Sequence, residues 1–135
     1  DMYATNDFRE NDYCYFNNQN GTFTDKGSRI FGHHSRFSMG CDVADFNNDG
    51  LLDVFTLDML PEDEKVLKSS IGDEFSDVYD YKKSFGYYNQ YSRNCLQINS
   101  LIQDSVFFND VALMAGVAAT DWSWAALFAD FDNDG

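Results

Sequence analysis

The residues best placed to do chemistry lie in one short loop. In "ADFNNDGLLDVF", residues 44–55, Asp45, Asn47 and Asp49 alternate, Gly50 follows, and Asp53 comes at the ninth position counted from Asp45. Alternating Asx side chains converge from a tightly curled loop, and glycine permits the sharp turn. The backbone carbonyl of Leu51 is placed to point inward, and Asp53 closes the ring. With a bidentate carboxylate or a water this supplies ~6–7 oxygens, the set that Ca²⁺ takes. An all-oxygen set disfavours the softer metals as natural occupants. Mg²⁺ demands a smaller octahedron and suits such a loop poorly. Without a cation the alternative is a solvated Asx-rich turn, whose converging acids would repel one another.

An EF-hand loop requires an acid at position twelve and helices on both sides. Position twelve from Asp45 is Thr56, and "DVFTLDM" (53–59) is β-branched and aromatic, which reads as strand. A dockerin-type loop fails at the same threonine.

The loop occurs twice. "SMGCDVADFNNDG" from Ser38 is matched by "SWAALFADFDNDG" from Ser123, an offset of 85, and Asp45 is matched by Asp130. Upstream, "YCYFNNQNGTFTD" is matched by "NCLQINSLIQDSVFFND". There the offset is 81 at Cys14 and Cys95, so the second copy carries a short insertion in its turn, and two correlated blocks of this kind mark a repeat architecture. Within a repeat the elements read as short strands: 13–17 and 21–25 around an Asn20-Gly21 turn, 39–46 into the acidic loop, and 53–59 out of it. The second copy gives strands in "NCLQIN", "SVFFND" and "WSWAALFADF". Short strands at a repeating period indicate a propeller or a solenoid.

Residues 61–85 break this pattern. Pro61 followed by three acids reads as a helix opening with proline at its first position. Leu67, Ile71, Phe75 and Val78 fall at helical spacing, and Gly72 divides the segment into two short helices. The expected organisation is a first repeat at 1–60, a helical and Tyr-rich insertion at 61–92 that covers the β structure, and a second repeat at 93–135. The second loop's candidate ligands are Asp130, Asp132 and Asp134. It ends at Gly135 without a closing acid, so the chain reads as a segment of a longer array.

The pattern D-x-[DN]-x-D-G-x-x-D between strands, the turn "NNQNGTFTD" and the block "FSMGCDVADFNNDGLLD" together resemble the FG-GAP (VCBS-type) repeat of integrin-like proteins. "AGVAATDWSWAALFADFDNDG" resembles the corresponding part of the next repeat, and the set resembles secreted bacterial proteins that carry an ASPIC/UnbV module. The resemblance covers most of the chain outside the insertion. The turn "NSLIQDS" lacks the family's usual Asp-Gly, and no ASPIC/UnbV segment is present. The resemblance implies an all-β fold, a β-propeller fragment in which each repeat supplies a blade with a calcium loop between two strands. It also implies a secreted, cell-surface or periplasmic location and a non-enzymatic binding or adhesion role, with an extracellular protein or glycan as partner. The rival is an accessory propeller of a secreted enzyme, one acting on polysaccharide for example, with its catalytic part elsewhere.

Composition limits the partners. The chain of 135 residues carries 23 acidic and 9 basic side chains, a net charge of −14. Such a surface repels nucleic acid and anionic membranes, and no apolar run reaches the ~20 residues that span a bilayer. Cys14, Cys41 and Cys95 form no C-x-x-C pair and no disulfide framework. His33, His34, Ser35 and Ser38 lack the pattern of a nucleophile elbow, so a turn or packing role is expected. Trp122 and Trp124 are expected to fill space between blades rather than stack on a sugar.

Overall fold

The structure is a computed structural model that describes residues 1–7, 10–70, 76–103, 105–131 and 133. It is β-rich, and the described residues form three small sheets that do not close into a ring. Strands β1 (Met2–Ala4), β2 (Tyr13–Asn17) and β3 (Phe23–Asp25) form an antiparallel sheet in that order. Helix α1 (Gly27–Ile30) follows. A short strand β4 (His34–Ser35) leads to β5 (Gly40–Ala44) and β6 (Asp53–Leu57). After helices α2 (Glu64–Ser70) and α3 (Ser76–Ser84), β7 (Gln90–Tyr91) pairs in parallel with β4. Strands β8 (Cys95–Ile102) and β9 (Ser105–Asp110) complete a four-stranded antiparallel sheet, β5-β6-β8-β9, and helix α4 (Ala112–Ala115) follows. This sheet takes two strands from each side of the helical insertion.

The sequence repeat has a structural counterpart. At the end of β3, Asp25 Oδ1 accepts the N–H of Gly27 at 2.9 Å and of Cys14 at 3.2 Å. At the end of β9, Asp110 Oδ1 accepts the N–H of Ala112 at 2.9 Å and of Leu96 at 3.1 Å. In both places one carboxylate ends a hairpin, starts a single helical turn and pins the partner strand. The charge-assisted bonds satisfy amides that would otherwise be orphaned.

Two small apolar clusters hold these pieces. One joins Cys14, Ile30, Phe31 and Val54, with Phe108 stacked on Phe31 at 4.3 Å between ring centroids. The other joins Leu96, Ala112 and Ala118, with Phe55 and Phe128 against it. Polar groups are buried between them: Asp12, His34, Ser35, Ser38, Asp53, Thr56, Asp58, Asn94 and Gln97. Burial on this scale requires hydrogen-bond partners, and most of these side chains have them. Asp58 Oδ2 accepts Ser35 Oγ at 2.6 Å and the N–H groups of Arg36 and Phe37, while Asp12 Oδ2 accepts Tyr3 Oη and Ser38 Oγ, each at 2.9 Å. All three thiols are free.

Three expectations change. Helix α2 starts at Glu64, not at Pro61, because Asp63 is the cap: its Oδ1 accepts the N–H of Lys65 at 2.8 Å and of Val66 at 3.0 Å. Neither α2 nor α3 buries a residue among those described. The two helices are exposed, and Tyr79 of α3 stacks on Tyr91 and donates to Asn89 Oδ1. The expected spacing residues Ile71 and Phe75 and the expected break at Gly72 lie outside the described residues.

The third change concerns residues 122–131, read from the sequence as a strand. Their counterparts by the repeat, β5, are a strand because β6 lies against them from Ala44↔Asp53 to Gly40↔Leu57. No strand of the described residues pairs with 122–131, so the segment runs without a ladder. It is fastened to β5 in other ways. The carbonyl oxygen of Trp124 sits where a Cβ on Gly40 would meet it at 2.6 Å, which is why position 40 takes glycine. Trp122 and Trp124 are exposed rather than packed between layers.

Candidate metal centre

Residues 45–52 connect β5 to β6, and the loop folds itself through Asx hydrogen bonds. Asp45 Oδ1 accepts the N–H of Asp49 at 3.0 Å, and Asp45 Oδ2 accepts that of Gly50 at 2.8 Å. Asn47 Oδ1 also accepts the N–H of Asp49, and Asp49 Oδ1 accepts the N–H of Leu51 at 2.8 Å. Asn48 and Gly50 take the left-handed backbone conformation, at φ 61° and 84°. Asn tolerates that region and Gly occupies it without strain. So the alternation of Asx residues, the asparagine and the glycine each have a distinct job in curling eight residues between two paired strands.

Asp53 differs from the other acids of the loop. It is fully buried, whereas Asp49 is exposed and Asp45 half-buried. Its Oδ2 accepts the N–H of Phe46 at 3.0 Å, and its Oδ1 accepts the N–H of Asn99 on β8 at 2.8 Å. One carboxylate therefore joins the start of the loop, its end and the neighbouring strand.

The donor chemistry fits a hard cation. Asp45, Asp49 and Asp53 offer carboxylate oxygens and Asn47 its amide oxygen, while Asn47 Nδ2 donates to Asp49 Oδ2 at 2.9 Å; an oxygen that accepts one N–H keeps a second lone pair. The loop carboxylates stand further apart than a coordinated set, as like charges do. The only trio of acid, histidine or cysteine ligand atoms within 4.8 Å of one another among the described residues is His33, Cys95 and Asp110. That trio is a poor cation site. Arg93 Nη2 lies 3.0 Å from Asp110 Oδ2 and 3.3 Å from His33 Nε2, so a guanidinium already supplies the positive charge there. Burial raises the Asp110 carboxyl, but bonding from His33 and from the Ala112 amide, together with Arg93, outweighs it and holds the group below its ordinary range. Burial also pushes the Cys95 thiol far above its usual value, away from the thiolate that binds metal.

The segment leading to the second loop packs beside the first. The rings of Phe46 and Phe128 lie 5.8 Å apart, and the N–H of Phe128 donates to Asp42 Oδ2 on β5 at 2.6 Å. Asp130 Oδ1 accepts the N–H of Asn133 at 2.6 Å. Asp132 and Asp134, the other candidate ligands of this loop, lie outside the described residues.

The His33–Ser38 stretch serves packing. Ser35 and Ser38 are buried and donate to Asp58 and Asp12, and His34 sits against Phe31 and Tyr88. The sequence does not single out Asn99 or Asp42, whose contacts with the loops cross strands 46 and 86 residues apart. Only the register of β6 against β8 brings Asn99 to Asp53, and no local signal carries that register.

Residues 1–56 match the family model of the FG-GAP-like repeat. The matched stretch contains β1 to β5, the whole acidic loop and most of β6. No curated protein and no solved structure matches the chain.

Proposed function

We propose that residues 45–53 bind one Ca²⁺, and that the chain is part of an extracellular β-propeller acting as a non-catalytic binding scaffold. Asp45, Asn47, Asp49, the carbonyl of Leu51 and Asp53 would hold the ion, with Asp130, Asp132 and Asp134 forming an equivalent set in the second repeat. The observation that carries the reading is the loop itself. Its own hydrogen bonds curl it, yet they leave three Asx side chains gathered at a turn whose closing acid, Asp53, is fully buried. An ion there would offset the repulsion among Asp45, Asp49 and Asp53 as they draw in around it.

The wider role rests on the FG-GAP-like match over residues 1–56 and on the four-stranded antiparallel sheet, the form of a propeller blade. A non-catalytic role is supported by the burial of Ser35 and Ser38, which keeps both hydroxyls away from a substrate. The net charge of −14 suits a cation-binding surface.

Thermal melts in calcium and in chelator test the reading. A ligand that binds only the folded chain adds about 2.7 kcal/mol at one hundred times Kd. The chain is expected to melt higher in calcium, and Asp49→Ala is expected to lose the difference. Superimposable melts of the unsubstituted chain would overturn the reading.

A further inference from the structure

We propose that Asn99, on a different strand from the loop, is a positioning residue for the cation site at 45–53, an inference that rests on the calcium reading above. Asn99 reaches the two residues that end the loop. Its backbone N–H donates to Asp53 Oδ1 at 2.8 Å, and its side-chain Nδ2 donates to the carbonyl of Leu52 at 3.2 Å. Asp53 in turn holds the N–H of Phe46, next to Asp45. The end of the loop is therefore set from β8, through Asn99, and not by the hairpin alone.

The side chain is held on one side only. Asn99 Oδ1 is buried without a hydrogen-bond partner, so the amide is kept in place by the bond from Nδ2 to Leu52. Burying an unpaired oxygen is unfavourable, and it is tolerated here where the other half of the amide fixes the peptide next to Leu51, the residue whose carbonyl completes the donor set. Pairing of β6 with β8 thereby bears on the affinity of the loop: the register Val54↔Gln97 carries Asn99 to Leu52.

The test is a calcium titration of the chain and of three variants, with thermal melts in chelator as a second readout. Asn99→Ala removes the Nδ2 bond and leaves the backbone bond to Asp53 intact. It is expected to weaken calcium binding roughly fivefold, the worth of one ordinary hydrogen bond. Asn99→Asp keeps an oxygen at Oδ1 but loses the donor, and is expected to weaken binding as well. Asn109→Ala, whose side chain meets Ser100 on the same hairpin, is expected to bind as the unsubstituted chain does. Unchanged affinity in Asn99→Ala, with only a lower melting point in chelator, would overturn the inference by leaving Asn99 a merely structural role. Retained or tighter binding in Asn99→Asp would also overturn it, by making Oδ1 a ligand. Absence of binding in the unsubstituted chain would instead overturn the calcium reading, and this inference with it.

Discussion

Asp42 of β5 accepts the amide N–H of Phe128 at 2.6 Å, and this bond fastens a segment that has no strand ladder of its own. A bond to a carboxylate is worth about 1.5–3 kcal/mol. Asp42→Ala is therefore expected to speed hydrogen exchange at the Phe128 amide by tenfold or more. The amides of β8 and β9, which have their own ladder, are expected to keep their protection. Unchanged exchange at Phe128 would mean that the aromatic contacts with Phe46 and Phe55 alone hold the segment.

Asp53 and Asp49 have separable roles. Asp53 accepts backbone N–H groups from the start of the loop and from β8, whereas the Asp49 side chain bonds only within the loop. In chelator, Asp53→Ala is expected to lower stability by about 2–4 kcal/mol, since it leaves two amides without their acceptor. Asp49→Ala is expected to cost under about 1 kcal/mol under the same conditions. Denaturant unfolding of both variants checks this, and equal losses would contradict the division.

The buried pair His34 and Asp12 sets opposing pH dependences. Burial, with His33 nearby, lowers His34 from 6.5 to about 4. Burial raises Asp12 from 3.8 to about 6, against bonds from Asn6, Ser38 and Tyr3 and with Asp58 pushing the same way as burial. A lowered histidine contributes stability that is full above 6.5 and is lost as pH falls toward 4. A raised aspartate does the reverse, contributing most below 3.8 and losing that contribution as pH rises through about 6. Between pH 6 and 4 the two nearly cancel. His34→Gln removes the first and leaves the second. The stability of this variant relative to the unsubstituted chain is expected to rise by up to about 3 kcal/mol between pH 7 and pH 4. A difference that stays constant across that range would contradict the assignment.

Much of the fold is legible in local sequence. The strands read at 13–17, 39–46 and 53–59 become β2, β5 and β6, the last two shorter at 40–44 and 53–57, and Asn20-Gly21 marks the turn between β2 and β3. The Asx spacing of 45–49 becomes a set of Asx turns. What is not legible depends on partners distant in the chain. "WSWAALFADF" has strand composition, but composition does not supply the neighbouring strand that a ladder needs. Pro61 looks like a helix start, yet the side chain of Asp63 competes better for the orphan amides. The dense buried polar layer of Asp12, Asp58 and Asn94 reads in sequence as surface, because burial of an acid becomes tolerable only once several donors converge on it.

The most direct test of the central claim is a calcium titration followed residue by residue through the backbone amide resonances. If the 45–53 loop binds the ion, the largest shifts fall on Asp49, Gly50 and Leu51, whose N–H groups bond to the loop's own carboxylates. Smaller shifts reach Phe46 and Asn99 through Asp53, and His33 and Arg93 stay unmoved. Shifts that instead centre on His33, Arg93 and Asp110, or a spectrum unaltered at saturating calcium, would contradict the account.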